Sequence, residues 1–197
     1  MFIHTMNSTE LQVSKKHQQI VATAEELFLK HGLKRVSVEE ICQKAGVSRM
    51  TFYRCFANKT VLMQHIWDRW IEDAYRKLDE VENMPIPFPE KLRLMQDYKL
   101  EMTAKMSTDF IEEVFRMDFY QTSAEAWKQR VMQFLTDAQK RGDIRPEVRP
   151  ELILVLLNKL TELVNDDSVK HLYADYVELT REIWNFFYYG LINRNEE

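Results

Sequence analysis

The stretch AGVSRMTFYRCFANK, residues 45–59, gathers the side chains of this chain best able to contact a nucleic acid. Arg49 carries a planar fork of donors that can pair with the O6 and N7 edge of guanine, Met50 can touch a thymine methyl, and Thr51 can bond a base edge or a phosphate. Tyr53 and Arg54 suit phosphate oxygens. Lys59 and Thr60 stand where a following helix would begin, so backbone amides and the helix dipole favour an anion there. Phosphate contacts fix register, whereas base contacts supply sequence choice.

Such side chains work only from rigid elements. Ser48 can cap a short helix running to Phe56, in which Val47, Phe52 and Phe56 recur about a turn apart as inward anchors and leave Arg49, Met50, Thr51, Tyr53 and Arg54 outward. Upstream, SVEE places Glu40 three residues after Ser37, the spacing of a capping box, and Ile41, Cys42 and Ala45 follow before Gly46. Two short helices joined by a tight turn containing Gly have the layout of a helix-turn-helix, whose second helix enters the major groove with its N-terminal residues on base edges.

Charge is distributed in keeping with this. The 197-residue chain has a net charge of -4, yet residues 1–60 carry +4 and the remainder -8, so a basic front faces one kind of partner and an acidic body another. No run approaches the ~18 apolar residues of a membrane span. The first residues lack the pattern of a signal peptide, so a cytoplasmic location and no membrane partner are expected. Cys42 and Cys55 are too few for a disulfide framework, and His4, His17, His31, His65 and His171 are scattered, so no metal site and no cofactor are expected. The few glycines exclude a phosphate-cradling loop. With no nucleophile motif either, an enzyme is not expected.

Periodicity predicts an all-α chain. A first helix fits Ser14 to His31, and Asn58 can cap a fourth that runs towards Asn83. NMPIPFPE interrupts it, because three prolines in five positions cannot sit inside a helix. A helical region follows over Leu92–Tyr120, then a helix from about Ser123 to Arg141, one opened by Pro150, and a last one over HLYADYVELTREIWNFFYYGLI, 171–192. Gly32, Gly46, Gly142 and Gly190 each follow a helical pattern and are expected as C-terminal caps.

From Ile20 to Leu62 the sequence resembles the DNA-binding region of the TetR family of bacterial transcriptional regulators. The resemblance rests on AEELFLKHGLKRVSVEEICQKAGVSRMTFYRCFANKTVL, which follows that family's pattern of A, LF, G, VS, I, AGVS, T, Y, F, K and L nearly throughout. It implies DNA contacts by Ser48, Arg49, Met50, Thr51, Tyr53 and Arg54, and a phosphate contact by Lys59. The departures are Cys55, where many relatives carry a larger residue, and the Val36 and Val38 pair, where Thr is common at one position.

Past about residue 62 the resemblance is architectural. It implies a three-helix DNA-binding domain over 14–60 and a helical domain over 61–197 that binds a small-molecule effector of unknown identity and forms a homodimer through the last two helices. The apolar sets Ile153, Leu154, Leu156, Leu157, Leu160, Leu163, Val164 and Tyr173, Tyr176, Val177, Ile183, Trp184, Phe187, Tyr188 cover more than one face of each helix, as such a contact requires. Trp67, Met102, Met106, Phe110, Phe115, Met117, Tyr120 and Trp127 can line a pocket or form plain core. The expected function is that of a sequence-specific repressor, released from a palindromic double-stranded operator by its effector. The alternative is a DNA-binding regulator whose acidic body docks a protein partner.

Overall fold

A computed structural model describes residues 8–166, 168 and 176–191. Among these residues there are nine helices and no strand. They are α1 Ser8–His31, α2 Val38–Ala45, α3 Arg49–Cys55, α4 Lys59–Glu82, α5 Phe88–Thr103, α6 Thr108–Val114, α7 Asp118–Lys140, α8 Pro150–Asn165 and α9 Tyr176–Leu191.

The polar punctuation of the sequence sets several of these limits. Ser37 accepts the Glu40 N–H at 3.1 Å, Ser48 accepts that of Thr51 at 3.1 Å, and Asn58 Oδ1 accepts that of Val61 at 2.9 Å, so α2, α3 and α4 each open on a side-chain cap. Gly46 closes α2 in the left-handed region at φ 65° and ψ 36°, a conformation that costs a residue with a Cβ.

Four boundaries differ from expectation. The first helix begins at Ser8 rather than Ser14. After the proline-rich break α5 starts at Phe88, not Leu92, because Pro89 falls in its first turn, where a missing N–H costs nothing. The helix expected from Ser123 starts at Asp118 and runs on as α7. Gly190 lies inside α9 instead of closing it, and residues 171–175 and 192 of the expected last helix lie outside the described residues.

The chain divides into two compact units. The first comprises the residues up to Arg76 together with Tyr98–Ser123. Its core joins Ile20, Ala24 and Phe28 of α1 with Ile41 of α2, Phe52 of α3, Leu62 and Ile66 of α4, and Phe110 and Val114 of α6, all fully buried. The second comprises Lys77–Asp97 and the residues from Ala124 onward, around Leu78, Phe134, Leu135, Ala138, Ile144 and Ile153. In that unit Arg130 bridges Asp79 at 2.7 Å and Glu82 at 2.5 Å, fastening α7 to the end of α4.

Among the described residues no helix is long and apolar enough to cross a membrane. No group of three His, Cys, Asp or Glu among them could hold a metal ion.

Candidate nucleic-acid interface

Helix α3 is only seven residues long, so its placement depends on neighbours rather than on its own hydrogen bonds. Phe52 and Phe56 are buried on its inner side, with Val47 partly buried against the same core. The opposite side is open. Met50 is 82% exposed and Tyr53 54%, and Arg49 and Arg54 are exposed beside them. Two exposed cations and two exposed apolar or phenolic side chains thus project from one rigid turn and a half.

The remaining predicted residues are placed differently. The Ser48 hydroxyl is occupied by the cap and also lies 2.9 Å from the Thr51 hydroxyl. Thr51 itself is 8% exposed, which draws its side chain into the protein. The Lys59 ammonium donates to the carbonyls of Leu33 at 2.7 Å, Lys34 at 3.2 Å and Val36 at 3.0 Å. An ammonium has three N–H donors, and these contacts engage all of them. Lys59 therefore stitches the start of α4 to the turn between α1 and α2.

One feature near α3 was not legible in the sequence. Glu39 of α2 lies 3.4 Å from Arg49, an exposed pair that holds the guanidinium loosely and yields it easily to a stronger anion. Nothing in residue spacing reveals this, because it spans the turn. Cys42, buried in α2 as its place in the apolar set of that helix predicts, has its thiol pushed up by burial, a change that Arg49 opposes and Glu39 reinforces.

The aromatic and Met residues considered for a pocket do not all meet. Trp67 and Phe110 are packed into the first core, and Phe115 is exposed and stacked on Tyr120 at 4.3 Å. Trp127 packs in the second unit. Of the set, Met102 lines a cleft of about 230 Å³ with Glu25, Leu29, Arg69, Trp70, Asp73, Tyr98 and Lys105. Glu25 forms an ion pair with Arg69 and accepts the Trp70 indole N–H at 2.8 Å, so one wall of the cleft clips α1 to α4.

Comparison with known proteins bears on what this arrangement is. Residues 20–66 match the family described as "Bacterial regulatory proteins, tetR family". The chain is 26% identical over 163 residues to the HTH-type transcriptional regulator TtgR of Pseudomonas putida, covering 76% of this chain and 78% of that one. It is 32% identical over 59 residues to a probable acrEF/envCD operon repressor of Escherichia coli, covering 30% and 27% of the two chains. A transcriptional regulator from Saccharomonospora viridis, solved in complex with choline, shares the fold at a TM-score of 0.61 and 16% identity over 92% of this chain and 100% of its own. The α2–α3 pair, set on a shared α1–α4 core, lies within the segment that matches the TetR family of bacterial transcriptional regulators.

Proposed function

We propose that this chain is a TetR-family regulator, a homodimeric repressor of the cytoplasm that binds a palindromic operator in double-stranded DNA and is released from it by a small-molecule effector. Proteins of this family are DNA-binding transcription factors and not enzymes. The observation that carries the proposal is the outer side of α3, where Arg49, Met50, Tyr53 and Arg54 are exposed on a helix pinned by Phe52 and Phe56. Arg49 and Met50 stand at its N-terminal end, the end that meets base edges in a helix-turn-helix. Ser48, Thr51 and Lys59 serve the same site by fixing the cap of α3 and the turn behind it.

Residues 14–60 form the DNA-reading part in this account, and residues 61–197 form the effector-binding and dimerising part. Dimerisation through the last two helices is supported by Leu152, Val155, Leu156 and Leu163, which make an exposed apolar stripe on α8, and by Phe186 of α9, which is 86% exposed. The side chains of Val164, Tyr176, Val177 and Tyr188, and all of Tyr173, lie outside the described residues. A two-fold dimer places two α3 helices for half-sites about 34 Å apart.

Release by a small molecule is supported by the cleft beside Trp70, which opens between helices that belong to the reading part and helices that do not. The fold relative bound to choline also supports it. Helix α4 begins next to α3 and its 24 residues extend roughly 36 Å, so a change at its middle displaces its start. The effector must bind the released geometry more tightly than the DNA-bound one, since only differential affinity shifts such an equilibrium. Sedimentation on the bound duplex tests the assembly: protomers in pairs per duplex are expected, and a single protomer on a single half-site contradicts it.

A further inference from the structure

The turn between α1 and α2, residues 32–37, supports everything that follows it, since Ser37 caps α2 and α2 leads through Gly46 to α3. Within it Leu33, Lys34 and Arg35 form a turn. Lys59 holds the carbonyls of Leu33, Lys34 and Val36 from the α4 side. On another side stands α6, a helix with two functions. Its Phe110 and Val114 are fully buried in the core, Phe110 against Trp70. Its neighbouring stripe, Asp109 and Glu113, meets the turn.

Three contacts make that junction. The Ser107 N–H donates to the Leu29 carbonyl at 2.9 Å, at the end of α1. Glu113 Oε2 accepts the Lys34 backbone N–H at 2.8 Å. Asp109 lies 3.5 Å from Arg35, an exposed pair of small consequence. The fit is close, because a Cβ at Gly32 would come within 3.2 Å of both Asp109 Cβ and Glu113 Oε2. Gly32 also sits at φ 76°, so a larger residue there is both strained and crowded.

We propose that Glu113 is a positioning residue for DNA recognition: its carboxylate oxygen holds the Lys34 amide, fixes the α1–α2 turn and so sets where α3 presents Arg49 and Met50. The inference rests on the reading of α3 as the DNA-facing helix. It also makes α6 a direct hydrogen-bonded contact of the reading part, in addition to α4. Met102 and Lys105, which line the cleft beside Trp70, lie just before the Ser107 cap of α6. A molecule in that cleft would touch the segment that leads into α6.

Charge and position make opposite demands on this carboxylate. If Glu113 acted only as a negative charge near phosphates, removing the charge would strengthen DNA binding and keeping it would change nothing. If it acts by reach, the acceptor oxygen matters and the charge does not.

The test is operator binding by the full-length Glu113→Gln and Glu113→Asp proteins, with exchange of the Lys34 amide followed in parallel. Glu113→Gln keeps an acceptor at the same reach and is expected to bind within about twofold of wild type. Glu113→Asp keeps the charge but withdraws the acceptor by one methylene, and is expected to lose up to about tenfold, the scale of one ordinary hydrogen bond. That loss falls equally on the operator and its single-base variants, with faster Lys34 exchange and an unchanged salt slope. Full affinity in Glu113→Asp, or tighter binding in Glu113→Gln with slow Lys34 exchange in both, would overturn the positioning role alone. Wild-type protein that selects no duplex would overturn the DNA reading beneath it, while the exchange rates would still report whether Glu113 holds the turn.

Discussion

Replacing Lys59 by Met removes an ammonium while keeping most of the length and apolar bulk of the stem. The structure gives this ammonium three carbonyl partners, two of them partly buried, at Leu33 and Val36. A hydrogen bond from a charged donor is worth about 1.5–3 kcal/mol net. The three bonds share one donor group, and water can replace the exposed one at Lys34, so a loss near 2 kcal/mol in unfolding free energy is expected rather than a triple sum. Urea unfolding of wild type and Lys59→Met measures it directly, as a shift in midpoint at constant slope. Operator binding across a salt series then separates the two possible roles of the residue. A lost phosphate contact flattens the plot of log affinity against log salt by about 0.9 per protomer. A lost turn clip weakens binding with the slope unchanged. A flattened slope at unaltered stability would refute the reasoning and return Lys59 to the phosphate backbone.

Three further outcomes are expected. Ser48→Ala removes the cap of α3 and the partner of Thr51, and should cost about 1 kcal/mol of stability in thermal unfolding; no measurable change would mean that the cap carries no weight. His17, packed 4.8 Å from Phe56 and 5.1 Å from His65, is held below the usual imidazole value, first by burial and then by His65. The unfolded chain thus takes up this proton at higher pH than the folded one, so stability is full above about pH 6.5 and falls as pH drops through the unfolded value towards the folded value. Urea midpoints at pH 5.5 and 7.5 should differ less in His17→Phe than in wild type, and an equal difference would assign the effect elsewhere. Val155→Glu puts a charge into the exposed apolar stripe of α8 and should raise the dimer dissociation constant at least about tenfold in sedimentation, with helix content unchanged; an undisturbed dimer would place the interface elsewhere.

The local elements were legible because their signals are local. Ser37, Ser48 and Asn58 announce the starts of α2, α3 and α4 by residue type, and Gly46 the end of α2, since each needs only its nearest neighbours. The inward anchors Phe52 and Phe56 followed from spacing alone. What escaped was whatever depends on contact across the chain. Lys59 reads as a phosphate ligand from its place at a helix N-terminus, yet its partners lie 23 to 26 residues back. Glu113 meets Lys34 across 79 residues, and no pattern marks it among many Glu side chains on amphipathic helices. Thr51 shows the other limit: it reads as outward beside Arg49 and Met50, but it stands one turn on from Val47 and next to Phe52 and is buried, with its hydroxyl 2.9 Å from that of Ser48. The prolines gave a break and left its far edge open, since Pro89 can either lie in a linker or begin α5.

The claim on which the rest stands is that α3 reads base sequence. The most direct measurement is selection of bound duplexes from a random pool by wild type and by Arg49→Ala, followed by affinities for the winning duplex and its single-base variants. The account predicts a palindromic winner for wild type and, for Arg49→Ala, a loss of about 1–3 kcal/mol confined to particular positions, at which the variant no longer distinguishes the bases. A wild type that enriches nothing, or an Arg49→Ala protein that loses affinity uniformly at every position, would contradict it.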